Sequence, residues 1–73
     1  MLIDGLMLIE EINQHFGLHL SDPNYDTIAG YVLGKLGRIP KVGEVIEDPE
    51  HGIRLTVESM DNLRIARLAM IHN

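Results

Sequence analysis

Cysteine is absent from this sequence, and so is tryptophan. Without cysteine, disulfide staples and thiolate zinc centres are both excluded, and the composition fits an intracellular compartment. Aromatic residues are scarce: two tyrosines and one phenylalanine among 73 residues leave little to stack against a flavin ring. Basic residues are few as well. Six Lys and Arg stand against eleven Asp and Glu, a formal net charge of −5. They are scattered rather than clustered, which excludes a nucleic-acid-binding surface. No apolar run approaches the ~20 residues needed to cross a bilayer, so direct membrane insertion is not expected. The amino end does not read as a cleavable signal, because Met1-Leu2-Ile3 meets Asp4 at once. So abrupt a start reads as a domain cut from a longer chain.

What is present suits one small domain spanning residues 1–73. Folding a chain of this size buries only about 60% of its unfolded surface, so stability depends on a compact core. The run 2–5 is a short apolar stretch closed by Asp4-Gly5, an edge strand and turn. Ile9, Ile12 and Phe16 then recur on one helical face, and Gly17 stops that helix. Its amino end lacks a Ser, Thr or Asp cap. Residues 18–25, with Asp22-Pro23-Asn24, form a loop. A second helix opens at Asp26-Thr27, either of which can cap it. Its apolar face is Ile28, Val32 and Leu36, with Leu33 beside them. Gly30, Gly34 and Gly37 form a bare ridge along the same helix. An interior glycine costs about 1 kcal/mol of helix propensity, so the ridge predicts close backbone approach to another element. Gly37 terminates the helix before Arg38-Ile39-Pro40. A phosphate-binding loop would place its glycines ahead of the helix, where free N–H groups point outward; these lie within and after it.

Beyond Gly43 the period changes to two. Residues 44–47 read as a short strand and 48–52 as a turn; Ile53, Leu55 and Val57 then alternate with Arg54, Thr56 and Glu58. Asp61-Asn62 suits a two-residue hairpin turn, after which residues 63–71 return. The returning strand has one face of Leu63, Ile65, Arg67, Ala69 and Ile71, and another of Arg64, Ala66, Leu68 and Met70. Both are largely apolar, more than one small core uses. The expected fold class is α+β, two helices on a mostly antiparallel sheet of about four strands.

The order Asp4-Gly5, a helix of the Ile9-Glu10-Glu11-Ile12 type, Asp26-Thr27-Ile28-Ala29-Gly30, Gly37-Arg38-Ile39-Pro40, Gly43-Glu44 and a final hairpin resembles the CorC/HlyC transporter-associated domain over nearly the whole chain. The resemblance implies a fold similar to part of a flavin-binding domain. It also implies a place at the carboxyl end of bacterial membrane proteins, after a membrane domain and a pair of CBS modules, on the cytoplasmic side of the inner membrane. Such proteins are described as magnesium and cobalt efflux or haemolysin-like factors. Two departures stand out: Asp61-Asn62 replaces the family's usual Asp-Gly turn, and the loop from Ile46 to Ile53 is longer and more acidic.

Several groups invite a chemical reading. His15 and His19 have the spacing of a helical metal pair, but Gly17 between them ends the helix. Glu47, Asp48, Glu50 and His51 offer hard oxygen ligands for Mg²⁺ or Ca²⁺; the alternative is a solvated turn, because a dedicated site needs six or more oxygens held in place. Ser21 has no partners for a triad. Arg38 either grips a phosphate or pairs with an acid at the helix end. FAD or adenine-nucleotide binding follows from the fold relationship alone, and fold does not carry function. The expectation is therefore a non-catalytic regulatory or interaction domain without a cofactor. A nucleotide or flavin sensor and a divalent-cation sensor are the alternatives. The face bearing Arg64, Ala66, Leu68 and Met70 is the expected docking surface, toward the parent's CBS pair or a second copy in a weak homodimer.

Overall fold

The computed structural model describes residues 1–72. In chain order the elements are β1 (Leu2–Asp4), α1 (Ile9–Phe16), α2 (Ile28–Leu36), β2 (Val45–Asp48), β3 (Ile53–Asp61) and β4 (Arg64–His72). The strands form one antiparallel sheet in the order β1-β4-β3-β2, so β1 is an edge strand as expected. Both helices pack on one face. The core joins Ile9 and Ile12 of α1 and Ile28, Tyr31 and Val32 of α2 to Ile46, Leu55, Val57, Ile65, Leu68 and Met70 of the sheet.

Local chemistry explains the helix ends. Both helices finish in a left-handed glycine, Gly17 at φ 65° and Gly37 at φ 70°, whose lack of a Cβ makes that conformation cheap. The uncapped start of α1 is supplied from inside the helix: Glu11 accepts the Leu8 N–H at 3.1 Å. Thr27, not Asp26, caps α2, accepting the Gly30 N–H at 3.1 Å. Asp26 instead accepts the Ile9 N–H through its backbone carbonyl at 2.7 Å.

The glycine ridge meets side chains of the loop before the helix rather than another backbone. A Cβ on Gly30 would stand 2.5 Å from Tyr25 Cβ and 2.6 Å from its ring; one on Gly34 would meet Asp22 Oδ2. The other Asp22 oxygen, Oδ1, accepts the N–H groups of Asn24 and Tyr25. Gly30→Val should therefore destabilise by about 1–3 kcal/mol through overpacking. Gly34→Val should cost less, since only the end of the Asp22 side chain has to move. Urea denaturation of the two variants checks this ordering; equal wild-type midpoints would remove the packing role of the ridge.

Two sequence readings are corrected here. Asp61 pairs with Arg64, so the hairpin turns through Asn62-Leu63, with Asn62 taking the left-handed conformation at φ 56°. The second correction concerns the faces of β4. Val57 pairs with Leu68, Ser59 with Arg67 and Met60 with Ile65, so Glu58 and Ala66 are skipped. These bulges step the inward position by three residues instead of two. The buried set on β4 is therefore Ile65, Leu68 and Met70, drawn from both expected faces. Leu68, fully buried, and Met70 belong to the core and not to a docking surface; Arg64 is exposed and Ala66 half-buried.

The bulge also accounts for Asp4-Gly5. Ala66, released from the ladder, accepts the Gly5 N–H at 2.9 Å, and Gly5 in turn accepts the Ala29 N–H at 3.0 Å. One turn thus ties β4 to the first turn of α2.

Candidate functional site

The acidic stretch 47–51 is divided by the strand that carries it. Asp48 closes β2 instead of opening a turn, and strand alternation sends Glu47 and Asp48 to opposite faces. Glu47 lies on the outer face, 2.7 Å from Arg54 Nε. Asp48 points inward and is only 1% exposed. Tyr31, from α2, donates its hydroxyl to Asp48 Oδ2 at 2.5 Å, and His51 Nδ1 lies 3.0 Å from the same oxygen. Lys35 Nζ is 3.6 Å from Oδ1. Burial alone pushes the Asp48 carboxyl upward, but the Tyr31 and His51 hydrogen bonds and the Lys35 charge hold it below the ordinary carboxylate range. Burial, and then the bond to Asp48, raise the Tyr31 hydroxyl far above its ordinary value.

This cluster is a clasp between the β2–β3 turn and α2. Its carboxylate already accepts from Tyr31 and faces His51 and Lys35, and Glu50 stays at the surface. A cleft of about 320 Å³ beside it is lined by His19, Ser21, Asp22, Lys35, Glu50 and His51. Among the described residues no three of His, Asp and Glu are grouped to hold a metal ion. His15 lies on α1 and His19 beyond Gly17, so they do not share a helix. Arg38 pairs with Glu44 through both terminal guanidinium nitrogens, the acid-pairing role rather than the phosphate one.

Tyr31→Phe should cost about 1–3 kcal/mol, because it leaves a buried carboxylate short of a donor. The depressed Asp48 group contributes stability that is present above the ordinary carboxylate pKa of about 3.9 and lost as pH falls through its folded value. The gap between wild type and variant should therefore be full at neutral pH and shrink in acid. Melting curves from neutral to strongly acid pH check this; a gap independent of pH would separate Tyr31 from the Asp48 charge.

The other surface with a defined pattern is the sheet face away from the helices. Leu2 pairs with Ala69, Ala69 with Thr56 and Thr56 with Val45, so one row crosses all four strands. Its ends are open, with Leu2 60% and Val45 49% exposed, and Ile71 beside it is 54% exposed. The Glu47–Arg54 pair borders the row on one side, Asp4 and Arg67 on the other.

Sequence reasoning missed Tyr31 and Asn13. Tyr31 sits one position from the expected apolar face of α2 and is nevertheless buried. The Asn13 amide accepts the Leu20 N–H at 2.8 Å and donates to the Leu20 carbonyl at 2.9 Å, pinning the loop after α1. Asn13 stands among Glu10, Glu11, Gln14 and His15, so nothing in the sequence singled it out.

The sequence model of the CorC_HlyC family, described as "Transporter associated domain", matches residues 1–73. The chain belongs to this family. Among relatives, the magnesium and cobalt efflux protein CorC of Pasteurella multocida (strain Pm70) is 40% identical over 66 residues, covering 90% of this chain and 21% of that protein. The chain thus spans about a fifth of the length of the curated relatives it matches. The CorC_HlyC domain of a Xylella fastidiosa Temecula1 hemolysin superposes with a TM-score of 0.84 at 37% identity, over 97% of this chain and 81% of that one. A second structure from a hemolysin of that organism, in complex with Mg++ and Mn++, is 36% identical with a TM-score of 0.84, over 99% of this chain and 85% of that one. Two helices on a four-stranded antiparallel sheet are therefore the family's architecture as well as this chain's. Among the described residues no helix is long and apolar enough to cross a membrane.

Proposed function

We propose that this chain is a non-catalytic regulatory and interaction domain of a transporter-like membrane protein for divalent cations. It works on the cytoplasmic side of the inner membrane, where it docks against the CBS pair and membrane domain of that protein and self-associates weakly. The observation that carries this is the open row Leu2–Ala69–Thr56–Val45 with Ile71, apolar except for Thr56, in a domain whose helices cover the opposite face. Contiguous exposed apolar area marks interaction sites more often than a solvated surface. The names of relatives such as the Pasteurella protein supply the transport context. Ser21 lines the cleft beside the clasp with His19 and His51, but among the described residues no hydrogen bond joins its hydroxyl to either imidazole, which supports a role other than catalysis.

Sedimentation equilibrium tests the docking role. The wild type should self-associate weakly, and a Val45→Asp, Ile71→Asp double variant should remain folded and monomeric. Wild type that stays monomeric at millimolar concentration would overturn it.

A second reading, a divalent-cation sensor at residues 47–51, is favoured by the Xylella structure solved with Mg++ and Mn++. Against it stand the opposed directions of Glu47 and Asp48 and the engagement of Asp48 with Tyr31 and His51. Ligand binding to the folded state alone raises the melting temperature. On the interaction reading, melting is unmoved by Mg²⁺, Mn²⁺, FAD or ATP; a rise of several degrees with either metal moves the assignment to a cation sensor, and with either nucleotide to a sensor of that class.

A further inference from the structure

A concavity of about 400 Å³ opens between the start of α1 and the loop that leads into α2. Its floor is Ile9, Asn13 and Leu20, its lips are Leu8 and Tyr25, and Ser21 completes the wall. Glu10, Asp22 and Asp26 stand around it, and no Lys, Arg or His lines it. Two other concavities mix their signs. The clasp cleft sets Lys35 and two histidines against Asp22 and Glu50, and the one below the hairpin tip sets Arg64 and Arg67 against Asp4 and Asp61. Among the described residues the ion pairs are made by Glu44, Glu47, Asp48 and Glu50, so the three carboxylates of this groove close none. Two of the lining side chains are not explained by folding. Leu8 holds the N-cap of α1, where serine, threonine or aspartate would satisfy a free N–H, and it remains 44% exposed. The Asp26 carboxylate is exposed and unpaired, because Thr27 takes the cap of α2 and Asp26 serves the backbone through its carbonyl. Tyr25 packs against Gly30 and is still 41% exposed. The groove is also preformed: the Asn13 amide holds Leu20 by two hydrogen bonds, and the Ile9 N–H holds the Asp26 carbonyl. A partner entering it therefore has little protein to order.

We infer that this groove binds a basic amphipathic segment of polypeptide, one that presents an aliphatic side chain between lysines or arginines. The aliphatic group seats on Ile9 and Leu20 beside Leu8. The cations face Glu10, Asp22 and Asp26, and one of them lies against Tyr25, whose ring face attracts a cation. Three carboxylates outweigh the roughly half charge that the start of α1 contributes, so the groove selects cations over anions. Apolar contact supplies the affinity, and the charges set orientation and choice of partner. The inference rests on the reading of the domain as an interaction module, and it names a partner chemistry at a surface separate from the open sheet face.

The test is amide chemical-shift mapping with acetyl-Lys-Leu-Lys-Leu-Lys amide as the probe. Its counterparts are acetyl-Glu-Leu-Glu-Leu-Glu amide and, with the charge kept and the leucines removed, acetyl-Lys-Ser-Lys-Ser-Lys amide. The probe should shift Leu8, Ile9, Asn13, Leu20 and Tyr25. The acidic peptide should leave them unmoved, and the serine peptide should bind more weakly than the probe. Glu10→Gln with Asp26→Asn should weaken probe binding about three- to tenfold, the effect of two exposed charge pairs, and raised salt should weaken it likewise. Leu8→Ser should also weaken it while keeping the fold, because serine is a good N-cap. Equal response to the acidic peptide, equal affinity for the serine peptide, indifference to the two neutralising substitutions, shifts centred elsewhere, or no shift at millimolar probe overturns the proposal. The Val45→Asp, Ile71→Asp variant should still bind the probe. A silent groove in a protein that self-associates removes the groove alone; a groove that responds in a wild type that never associates removes the sheet face alone.

Discussion

Leu68→Ala is expected to destabilise the domain by about 2–5 kcal/mol, the range for truncating a fully buried leucine in a core that collapses only partly. Leu68 is 0% exposed and pairs with Val57 on one side and Ile3 on the other, at the middle of the helix-facing side of the sheet. Small domains have stabilities near the low end of 5–15 kcal/mol, so this one change removes a large part of the total. Leu68→Asp should leave no folded population. Ile71→Ala, three residues later on the outer face, should stay within about 0.5 kcal/mol of wild type. Urea unfolding monitored by circular dichroism, with unchanged m-values, measures all of these. If Leu68→Ala and Ile71→Ala have the same midpoint, the inward phase of β4 is wrong.

Gly5→Ala should be nearly as damaging, although Gly5 is in a turn and alanine adds one carbon. An added Cβ would overlap the Ile65 carbonyl oxygen and stand 3.1 Å from its carbon and 3.3 Å from Ala29 Cβ. The obstacle is backbone and cannot rotate aside. Relief requires moving the turn away from β4, which breaks the bonds from Gly5 N–H to Ala66 and from Ala29 N–H to Gly5. Overpacking of this kind costs about 1–3 kcal/mol, and the coupled hydrogen bonds place Gly5→Ala at the upper end. For a domain of this size each kcal/mol lowers the melting temperature by about 4–8 °C, so a fall of ten degrees or more is expected by calorimetry. A variant melting with the wild type would show that the turn does not need to approach the bulge.

The sequence displayed those parts of the fold whose causes are local. Thr27, Gly17 and Gly37 mark helix ends through their own backbone chemistry, and the alternation of Ile53, Leu55 and Val57 marks the inner face of β3. The faces of β4 were not legible, because neither of the skipped residues, Glu58 and Ala66, is a glycine that would announce a bulge. What holds the bulge is Gly5, about sixty residues earlier, docked on Ala66. Strict period two then divided Ile65 from Leu68 and Met70 and made both faces look apolar. The clasp was hidden for the same kind of reason. Asp48 beside Pro49 reads as a turn, and only its register opposite Ile53 turns it inward to Tyr31, seventeen residues back in the chain. The open row on the outer face is likewise a product of pairing: Leu2, Val45, Thr56 and Ala69 come from four strands, and nothing in the linear order associates them.

The division of the sheet into a core face and a proposed docking face is tested most directly by broadening of side-chain methyl signals with a soluble paramagnetic agent, recorded from micromolar to millimolar protein. The methyls of Leu55, Val57, Leu68 and Met70 should be protected at every concentration. Those of Leu2, Val45 and Ile71 should broaden in dilute solution and become protected as the protein is concentrated. Protection of the outer methyls already in dilute solution would mean that the chain covers this face itself; their continued broadening at millimolar protein would mean that nothing docks there between copies of this domain.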